Sequence, residues 1–194
     1  MKLAVALFYA SFLANICSAQ VEREISWFTR VTVSDGIDIV LQKGKVPELR
    51  LEYWGADPHA IITENKGNRL SIYMDEGTTL AEGTEVTVYL PYTTLKELTV
   101  LGNSHVVNKS PIMVDKFVLK SFGSNNIRLQ EVQARKWRAA FYGENEFSAK
   151  KGKVVTLRVK EAGDNKLNFR QVTSDVVKVV PWVILGEGPG KYLM

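Results

Sequence analysis

Apolar and polar residues alternate along the chain between Trp27 and Leu90. The alternation has a period of two residues, which is typical of β-strands that bury one face. Clusters of Gly, Asn, Asp and Lys separate the alternating runs and favour turns. Residues 57–62 alone favour a single helical turn. The apolar members of the predicted strands are Val31, Val33, Ile37, Ile39, Leu41, Leu49, Leu51, Tyr53, Leu70, Ile72, Met74, Val86, Val88 and Leu90.

Beyond Pro91 the chain repeats a five-residue motif, which consists of Gly, any residue, Asn or Ser, any residue, and a hydrophobic residue. The four copies begin at Gly102, Gly123, Gly143 and Gly163, at spacings of 21, 20 and 20 residues. A period of this length is typical of a solenoid in which each repeat forms one coil of short strands. Because Gly and Asn tolerate left-handed backbone, we predict that each motif forms a corner of the coil.

The repeat also predicts which side chains stack on one another. Coils spaced by about 4.8 Å would bring Asn125, Asn145 and Asn165 within hydrogen-bonding reach, so we interpret these asparagines as structural. The triplet before each corner alternates in polarity and predicts two columns of core side chains. Val183 stands where a fifth glycine is expected, which predicts an irregular last coil. The predicted columns are Phe117, Trp137, Leu157, Val177 and Leu119, Ala139, Val159, Val179.

These patterns predict an all-β protein. The C-terminal half, residues 96–194, is expected to form a parallel β-helix-like solenoid with coils of about 20 residues. The N-terminal β-region, residues 20–95, either continues the solenoid or caps it. We expect the two parts to form one continuous domain over residues 27–180 or so.

The first residues predict export. Lys2 precedes an apolar run that extends to Ile16 and is too short to span a membrane comfortably. Small residues fit cleavage between Ala19 and Gln20, so residues 1–19 are predicted to be a signal peptide and the protein to be extracytoplasmic, in the periplasm, on the cell surface or secreted. The alternative is a lipoprotein anchored through Cys17, although Ile16 is larger than the residue that normally precedes such a cysteine. We expect no transmembrane segment after signal removal.

Several segments resemble a known bacterial family when they are taken in order. They are Gly36-Ile-Asp-Ile-Val-Leu-Gln-Lys-Gly44, residues 65–72, Val86-Thr-Val-Tyr-Leu-Pro91 and the Gly-x-Asn corners. Together they resemble the head GIN domain of autotransporter-type adhesins over nearly the whole mature chain. The resemblance implies an extracytoplasmic β-helix-like protein of Bacteroidetes-type bacteria, with no established activity and no site residues. This chain has Gly-Ser-Asn, Gly-Glu-Asn and Gly-Asp-Asn corners where the family usually has Gly-Ser-Gly.

The sequence offers little catalytic chemistry. Cleavage after Ala19 would leave no cysteine, which excludes disulfides, thiolate metal sites and thiol nucleophiles from the mature chain. His59 and His105 are expected to be surface histidines. Glu144 and Asp164 occupy equivalent corners about 5 Å apart, which would suit a retaining glycosidase pair or a weak calcium site, but acidic residues are common in turns. We therefore predict no enzyme activity, no cofactor and no metal, with a polysaccharide-processing enzyme and a purely structural envelope protein as the alternatives.

Basic residues dominate the outward positions of the strands that precede the corners. Seven of the twelve positions are Lys or Arg and none is acidic. Stacking would align Arg138, Arg158 and Lys178 about 4.8 Å apart, where like charges repel each other. We predict a face that binds an anionic polysaccharide or outer-membrane lipid, the alternative being a solvated face that resists aggregation. The candidate binding residues are Lys116, Lys136, Arg138, Arg158, Lys160 and Lys178.

The remaining features add little about partners. The net charge of +4 is too small to indicate binding to nucleic acid. Trp27, Trp54 and Trp182 lie near predicted strand ends, where they suit either edge packing or stacking on sugars. The sequence thus predicts an exported, non-catalytic binding module of adhesin-like type, and it leaves the ligand and the oligomeric state open.

Overall fold

The structure is a computed structural model that describes residues 19–34, 36–78 and 83–181. The predicted signal peptide lies outside these ranges except for Ala19, and so do Cys17, Trp182 and Val183. A 3₁₀ turn at Pro58–Ala60 agrees with the helical turn expected there, and Asp57 caps it by accepting a hydrogen bond from the His59 N–H (2.9 Å). The N-terminal strands are β1 (Ala19–Glu24), β2 (Arg30–Val33), β3 (Asp38–Lys43), β4 (Glu48–Trp54), β5 (Ile61–Lys66), β6 (Arg69–Met74) and β7 (Glu85–Tyr92).

The repeat region forms the predicted β-solenoid. Parallel coils of about 20 residues stack between residues 97 and 180 and make about four turns. In each coil a strand of one sheet leads through a glycine corner into a short strand of the other sheet. The strands are β8 (Glu97–Gly102), β9 (His105–Asn108), β10 (Ile112–Gly123), β11 (Asn126–Leu129), β12 (Val132–Gly143), β13 (Glu146–Ala149), β14 (Gly152–Ala162), β15 (Lys166–Asn168) and β16 (Val172–Pro181).

Two eight-stranded sheets run through the N-terminal and C-terminal parts alike. Sheet A has the order β1-β4-β7-β3-β9-β11-β13-β15, and sheet B has the order β16-β14-β12-β10-β8-β2-β6-β5. Strands β2, β3, β6 and β7 pair in parallel and extend the stack of coils. Strands β1, β4 and β5 pair antiparallel at the N-terminal end. The N-terminal region therefore both continues the solenoid and caps it.

The core lies between the two sheets and follows the predicted columns. Trp137 is fully buried, and its ring packs against Phe117, Phe147 and Phe169 at centroid distances of 5.4–5.9 Å. The prediction is wrong for the last coil, because the side chains of Val177 and Val179 are 53% and 37% exposed. Both residues lie on β16, the last strand of sheet B, so no further strand of the described ranges covers them.

The corner glycines have the left-handed backbone that the repeat predicts. Their φ angles are 87°, 106°, 106° and 98° for Gly102, Gly123, Gly143 and Gly163. The coils also approach each other closely here, because a Cβ on Gly143 would lie 2.5 Å from the carbonyl oxygen of Gly123. Both the backbone angle and the stacking distance therefore require glycine.

The predicted asparagine column is confirmed as a hydrogen-bonded ladder. The Asn125 amide donates to Asn145 Oδ1 (3.2 Å), and the Asn145 amide donates to Asn165 Oδ1 (2.8 Å). Each of the three amides also donates to the carbonyl three residues before it, at 3.0–3.1 Å. All three side chains are buried. The asparagine side chains thus hydrogen-bond to the backbone of their own corner and to the asparagine of the neighbouring coil.

Within the described residues, no helix has the length and the apolar character needed to cross a membrane.

Candidate anion-binding face

The predicted basic positions lie in register on the outer face of sheet B. Arg138 is paired with Arg158, and Arg158 is paired with Lys178, on strands β12, β14 and β16. We call these three residues the basic column. Lys116 pairs with Lys136 two positions earlier. The alignment of these side chains by parallel stacking is thus confirmed.

The basic column has no acidic counterpart nearby. Arg138, Arg158 and Lys178 are exposed, and none of them forms an ion pair with a carboxylate of the described residues. Adjacent strands of a sheet lie about 4.8 Å apart, so the three charges repel one another across the ladder. Sheet folding alone does not account for three stacked cations.

Asp115, an acidic residue on the preceding coil, is paired with Arg135. Arg135 Nε lies 2.7 Å from Asp115 Oδ1. This hydrogen bond lowers the pKa of Asp115 from its usual value and raises the pKa of Arg135, and the nearby charge of Lys136 lowers the pKa of Asp115 further. Lys116 and Lys136 are both exposed beside this pair.

A carboxylate that the sequence reasoning missed lies in the same row, on the N-terminal side of the basic column. Glu97 on β8 is in register with Val118, which is in register with Arg138. The Glu97 side chain is only 15% exposed, and its oxygens lie 2.9 Å from Lys120 Nζ, 3.8 Å from Arg30 Nε and 3.9 Å from Arg69 Nη2. Lys120, one of the seven basic outward positions, is therefore paired. The sequence signal for this carboxylate was its position: Glu97 occupies, one coil earlier, the place that Val118 occupies on β10.

A small pocket opens beside Glu97 on the same face. It has a volume of about 200 Å³ and is called the Thr29 pocket below. The Thr29 backbone is fixed by hydrogen bonds to the Asn68 carbonyl (2.9 Å) and from the Lys96 N–H (2.7 Å). The Thr29 hydroxyl is buried and has no hydrogen-bond partner within the described part of the chain. The pocket is lined by Thr29, Arg30, Asn68, Lys96, Glu97, Lys116 and Val118.

Aromatic side chains flank the basic positions. Phe122 and Tyr142 are in register on β10 and β12, and their rings stack with centroids 4.9 Å apart and planes within 6°. Phe122 is 38% exposed and lies two residues after Lys120. Trp27 and Trp54 are also exposed near strand ends. The outer face of sheet B thus places an apolar ring pair beside cations.

A second concavity lies on the outer face of sheet A, with a volume of about 510 Å³. The Arg50 guanidinium lies 4.1 Å from the Tyr89 ring centroid and forms an ion pair with Glu52 at 3.1 Å. A hydrogen bond to Glu52 raises the pKa of the Tyr89 hydroxyl. Glu48 also lines this concavity together with Lys45 and Lys109. Three cations and one carboxylate line this concavity, and Arg50 is further paired with Glu52, which lies outside the lining.

The residues considered for catalysis are not assembled into a site. His105 is exposed, and its backbone N–H donates to Asp38 Oδ1 (2.7 Å). His59 is exposed in the 3₁₀ turn, and Glu144 and Asp164 are exposed on their corners. Within residues 19–34, 36–78 and 83–181, no three His, Cys, Asp or Glu side chains come together in a way that could hold a metal ion.

Three solved structures with a similar fold come from Parabacteroides species. A putative adhesin from Parabacteroides merdae has a TM-score of 0.63 at 13% identity, over 86% of this chain and 78% of that chain. A putative adhesin from Parabacteroides distasonis has a TM-score of 0.60 at 16% identity, over 85% and 82% of the two chains. A protein from Parabacteroides distasonis called a putative lipid binding protein has a TM-score of 0.62 at 17% identity, over 86% and 79%. At these identities the likeness shows the fold alone.

No curated protein matches the sequence significantly. The family described as "putative auto-transporter adhesin, head GIN domain" matches residues 27–182, which is most of the chain. The sequence segments that suggested this family form strands and corners of the two sheets. The chain therefore belongs to the auto-transporter adhesin head GIN domain family.

Proposed function

We propose that this protein is an exported, non-catalytic binding module that holds an acidic polysaccharide on the outer face of sheet B. The observation that carries the proposal is the basic column, in which Arg138, Arg158 and Lys178 stack in register without an acidic partner among the described residues. The proposed contacts also include Lys116 on β10, Lys136 on β12 and Lys160 on β14, which all belong to sheet B.

The energetics of the column favour a ligand. Three like charges at about 4.8 Å spacing destabilise the sheet, and bound anions remove that repulsion. An anion that approaches an open β-sheet meets one cation per strand along the column. A polymer with repeated acidic groups, lying across the strands, matches this arrangement better than a single small anion.

The location of the protein follows from two supports. Two fold neighbours are called putative adhesins, a name that suggests a surface protein, and residues 1–19 have the pattern of a signal peptide. We propose a periplasmic, cell-surface or secreted protein, with lipid attachment through Cys17 as the alternative form. The adhesin names of family and neighbours also support binding rather than catalysis.

A lipid with an anionic headgroup is the second candidate ligand. One neighbour of similar fold is called a putative lipid binding protein. The stacked Phe122 and Tyr142 rings lie beside Lys120 and would contact apolar parts of such a ligand. Lipid vesicles therefore belong in the same experiment as polysaccharides.

The test uses residues 20–194 of the chain and measures affinity for polygalacturonate, for a neutral glucan and for vesicles with and without anionic lipid. The variant is Arg138→Glu/Arg158→Glu, measured at low and moderate salt. The matched control is Lys45→Glu/Lys109→Glu, which changes the charge equally but on sheet A. We expect polygalacturonate to bind in a salt-sensitive manner, and the sheet B variant to lose about tenfold or more in affinity while the control loses little.

Two results would overturn the proposal. Polygalacturonate binding that is equal for the two variants would mean that net charge, and not the basic column, is responsible. Binding to anionic vesicles but not to polygalacturonate would replace the polysaccharide with a lipid.

A further inference from the structure

The Thr29 pocket lies in the row of sheet B that contains the basic column, on the N-terminal side of that column. In sheet B the strands follow one another in the order β8, β10, β12, β14 and β16. Glu97 and Val118, which line the pocket, are in register with Arg138 on the next strand. A chain that leaves the pocket across Val118 therefore reaches Arg138, Arg158 and Lys178 at successive steps of about 4.8 Å.

From this arrangement we infer that the Thr29 pocket binds the terminal oxyanion of the ligand, a phosphate, sulfate or carboxylate group at the end of an acidic glycan. The inference rests on the proposed function, because the basic column binds the groups that follow. The ligand would then be held end-on, with a fixed starting point and direction. The sequence reasoning did not identify this pocket, since Thr29, Asn68 and Lys96 belong to three separate segments.

The charge around the pocket is strongly one-sided. Arg30, Lys96 and Lys116 line the pocket together with a single carboxylate, that of Glu97. Glu97 is already contacted by Arg30, and also by two cations from outside the lining, Arg69 and Lys120. Lys96 and Lys116 form no ion pair with any carboxylate of the described residues. Three cations thus contact the single carboxylate, Lys96 and Lys116 add two positive charges to the lining, and a bound anion offsets this excess.

The neutral groups of the pocket are also suited to an oxyanion. The Thr29 hydroxyl is buried without a hydrogen-bond partner in the described ranges, although buried polar groups are normally paired. A hydroxyl and the Asn68 side-chain amide can each donate a hydrogen bond, as can the two lysines. Donors that converge beside cations are the arrangement that binds a phosphate, sulfate or carboxylate group.

The size of the pocket limits what can enter it. Its volume of about 200 Å³ lies below the usual range of sites for drug-sized ligands, which begins near 300 Å³. One charged group, or one sugar ring that carries it, therefore occupies the pocket, and the rest of a polymer lies outside on the basic column.

The first part of the test uses small anions, which cannot span the pocket and the basic column at once. Inorganic phosphate, sulfate and acetate are titrated into ¹⁵N-labelled residues 20–194, and amide shifts are followed. We expect amide shifts concentrated at Thr29, Asn68, Lys96 and Glu97. Comparison of the three anions shows whether the pocket prefers a tetrahedral anion or a planar carboxylate. Thr29→Val should weaken binding of the preferred anion about three- to tenfold, as should Lys96→Ala. Thr99→Val is the matched control. Thr99 lies on β8, two residues beyond Glu97, and does not line the pocket.

The second part uses oligogalacturonates of increasing length and the variant Arg138→Glu/Arg158→Glu. This variant should leave small-anion affinity within about twofold and abolish the gain of affinity with length. If the long oligomers need Arg138 and Arg158 but are unaffected by Thr29→Val and Lys96→Ala, the pocket assignment is wrong and the proposed function stands. If small anions shift the pocket amides but no oligomer binds more tightly, the pocket stands and the proposed function is wrong. Absence of shifts at the pocket amides in the folded protein overturns the inference.

Discussion

Each corner glycine is constrained by its own backbone and by the coil beneath it. Gly143 has φ of 106°, and a Cβ there would lie 2.5 Å from the Gly123 carbonyl oxygen. Gly67 also has a positive φ, 59°, but a Cβ there would meet nothing within 4 Å. A comparison of Gly67 with Gly143 therefore separates the energetic cost of a side chain at a positive φ from the cost of the close approach between coils.

We expect Gly143→Ala to destabilise the protein far more than Gly67→Ala. The change at Gly67 should lower the free energy of unfolding by about 1–2 kcal/mol, which is the cost of a left-handed alanine. The change at Gly143 adds a clash that forces two coils apart, so a loss of about 4 kcal/mol or more is expected. Chemical denaturation of both variants measures the difference. Equal losses would show that the stack of coils relaxes without cost.

The asparagine ladder predicts a second contrast between residues of the same type. Asn145 is buried and bonds to Asn125 and Asn165, whereas Asn126 bonds to Glu146 at an exposed position. Asn145→Ala leaves buried donors and acceptors without partners, so a loss of about 2–4 kcal/mol is expected. Asn126→Ala should cost less than about 0.5 kcal/mol. Thermal and urea unfolding of the two variants compares them, and similar losses would contradict the structural role of the column.

The residues that could be predicted are those whose role recurs with the repeat. Asn145 and Gly143 have equivalents in other coils. A backbone angle or a hydrogen-bond ladder that recurs in each coil requires the same residue type every 20 residues or so. Glu97 stands at the repeat position of Val118 and Arg138 but has the opposite charge to Arg138, and Thr29 lies outside the repeat. Their contacts join β2, β8 and β10, which are distant in sequence, so no local pattern indicates the pocket between them.

At the scale of elements, strands β12, β14 and β16 share a row of like charges. Arg158 lies between Arg138 and Lys178, whereas Arg128 on sheet A lies between Val107 and Ser148. Both arginines are exposed. A charge reversal at Arg158 therefore creates two favourable neighbours, and the same change at Arg128 creates none.

We expect Arg158→Glu to raise the melting temperature by about 1–3 °C at low salt, because cross-strand pairs of opposite charge replace repulsion. The gain should vanish at about 1 M salt, where the screening length falls to about 3 Å. Arg128→Glu should leave the melting temperature nearly unchanged under both conditions. A drop in melting temperature for Arg158→Glu would mean that the arginine stabilises the sheet and that its charge needs no ligand to explain it.

The strand pattern was predictable, but the order of the N-terminal strands was not. Alternation located β2, β3, β6 and β7 correctly, because each buries one face against the core. Their placement is set by pairing at long range, since β2 lies between β6 and β8, and β3 lies between β7 and β9. Period-two alternation is the same for parallel and antiparallel partners. The exposure of Val177 and Val179 was missed, although Val183 at the expected fifth glycine indicated an irregular last coil, because alternation does not show whether a further strand covers a side chain.

For the whole molecule, the two sheets imply a single cooperative body. The buried cluster runs without interruption from Phe28 to Val159, and β8 and β9 join the N-terminal coils to the repeat. A simple solenoid can instead unfold in stages, because each coil contacts only its neighbours. Unfolding is cooperative if the antiparallel strands β1, β4 and β5 stabilise the coils beyond them, and it is staged if they do not.

We expect a core substitution at either end to weaken both ends. Leu51→Ala on β4 and Leu119→Ala on β10 each remove a fully buried side chain, and each should cost about 2–5 kcal/mol. In a cooperative body, hydrogen exchange of the β12 amides would lose protection by the full amount in both variants, although Leu51 lies on sheet A and β12 on sheet B. Loss of protection confined to the N-terminal strands in Leu51→Ala would instead show staged unfolding. In that case the β10 to β16 coils hold the basic column independently of the Thr29 pocket, because the pocket needs β2 as well as β8.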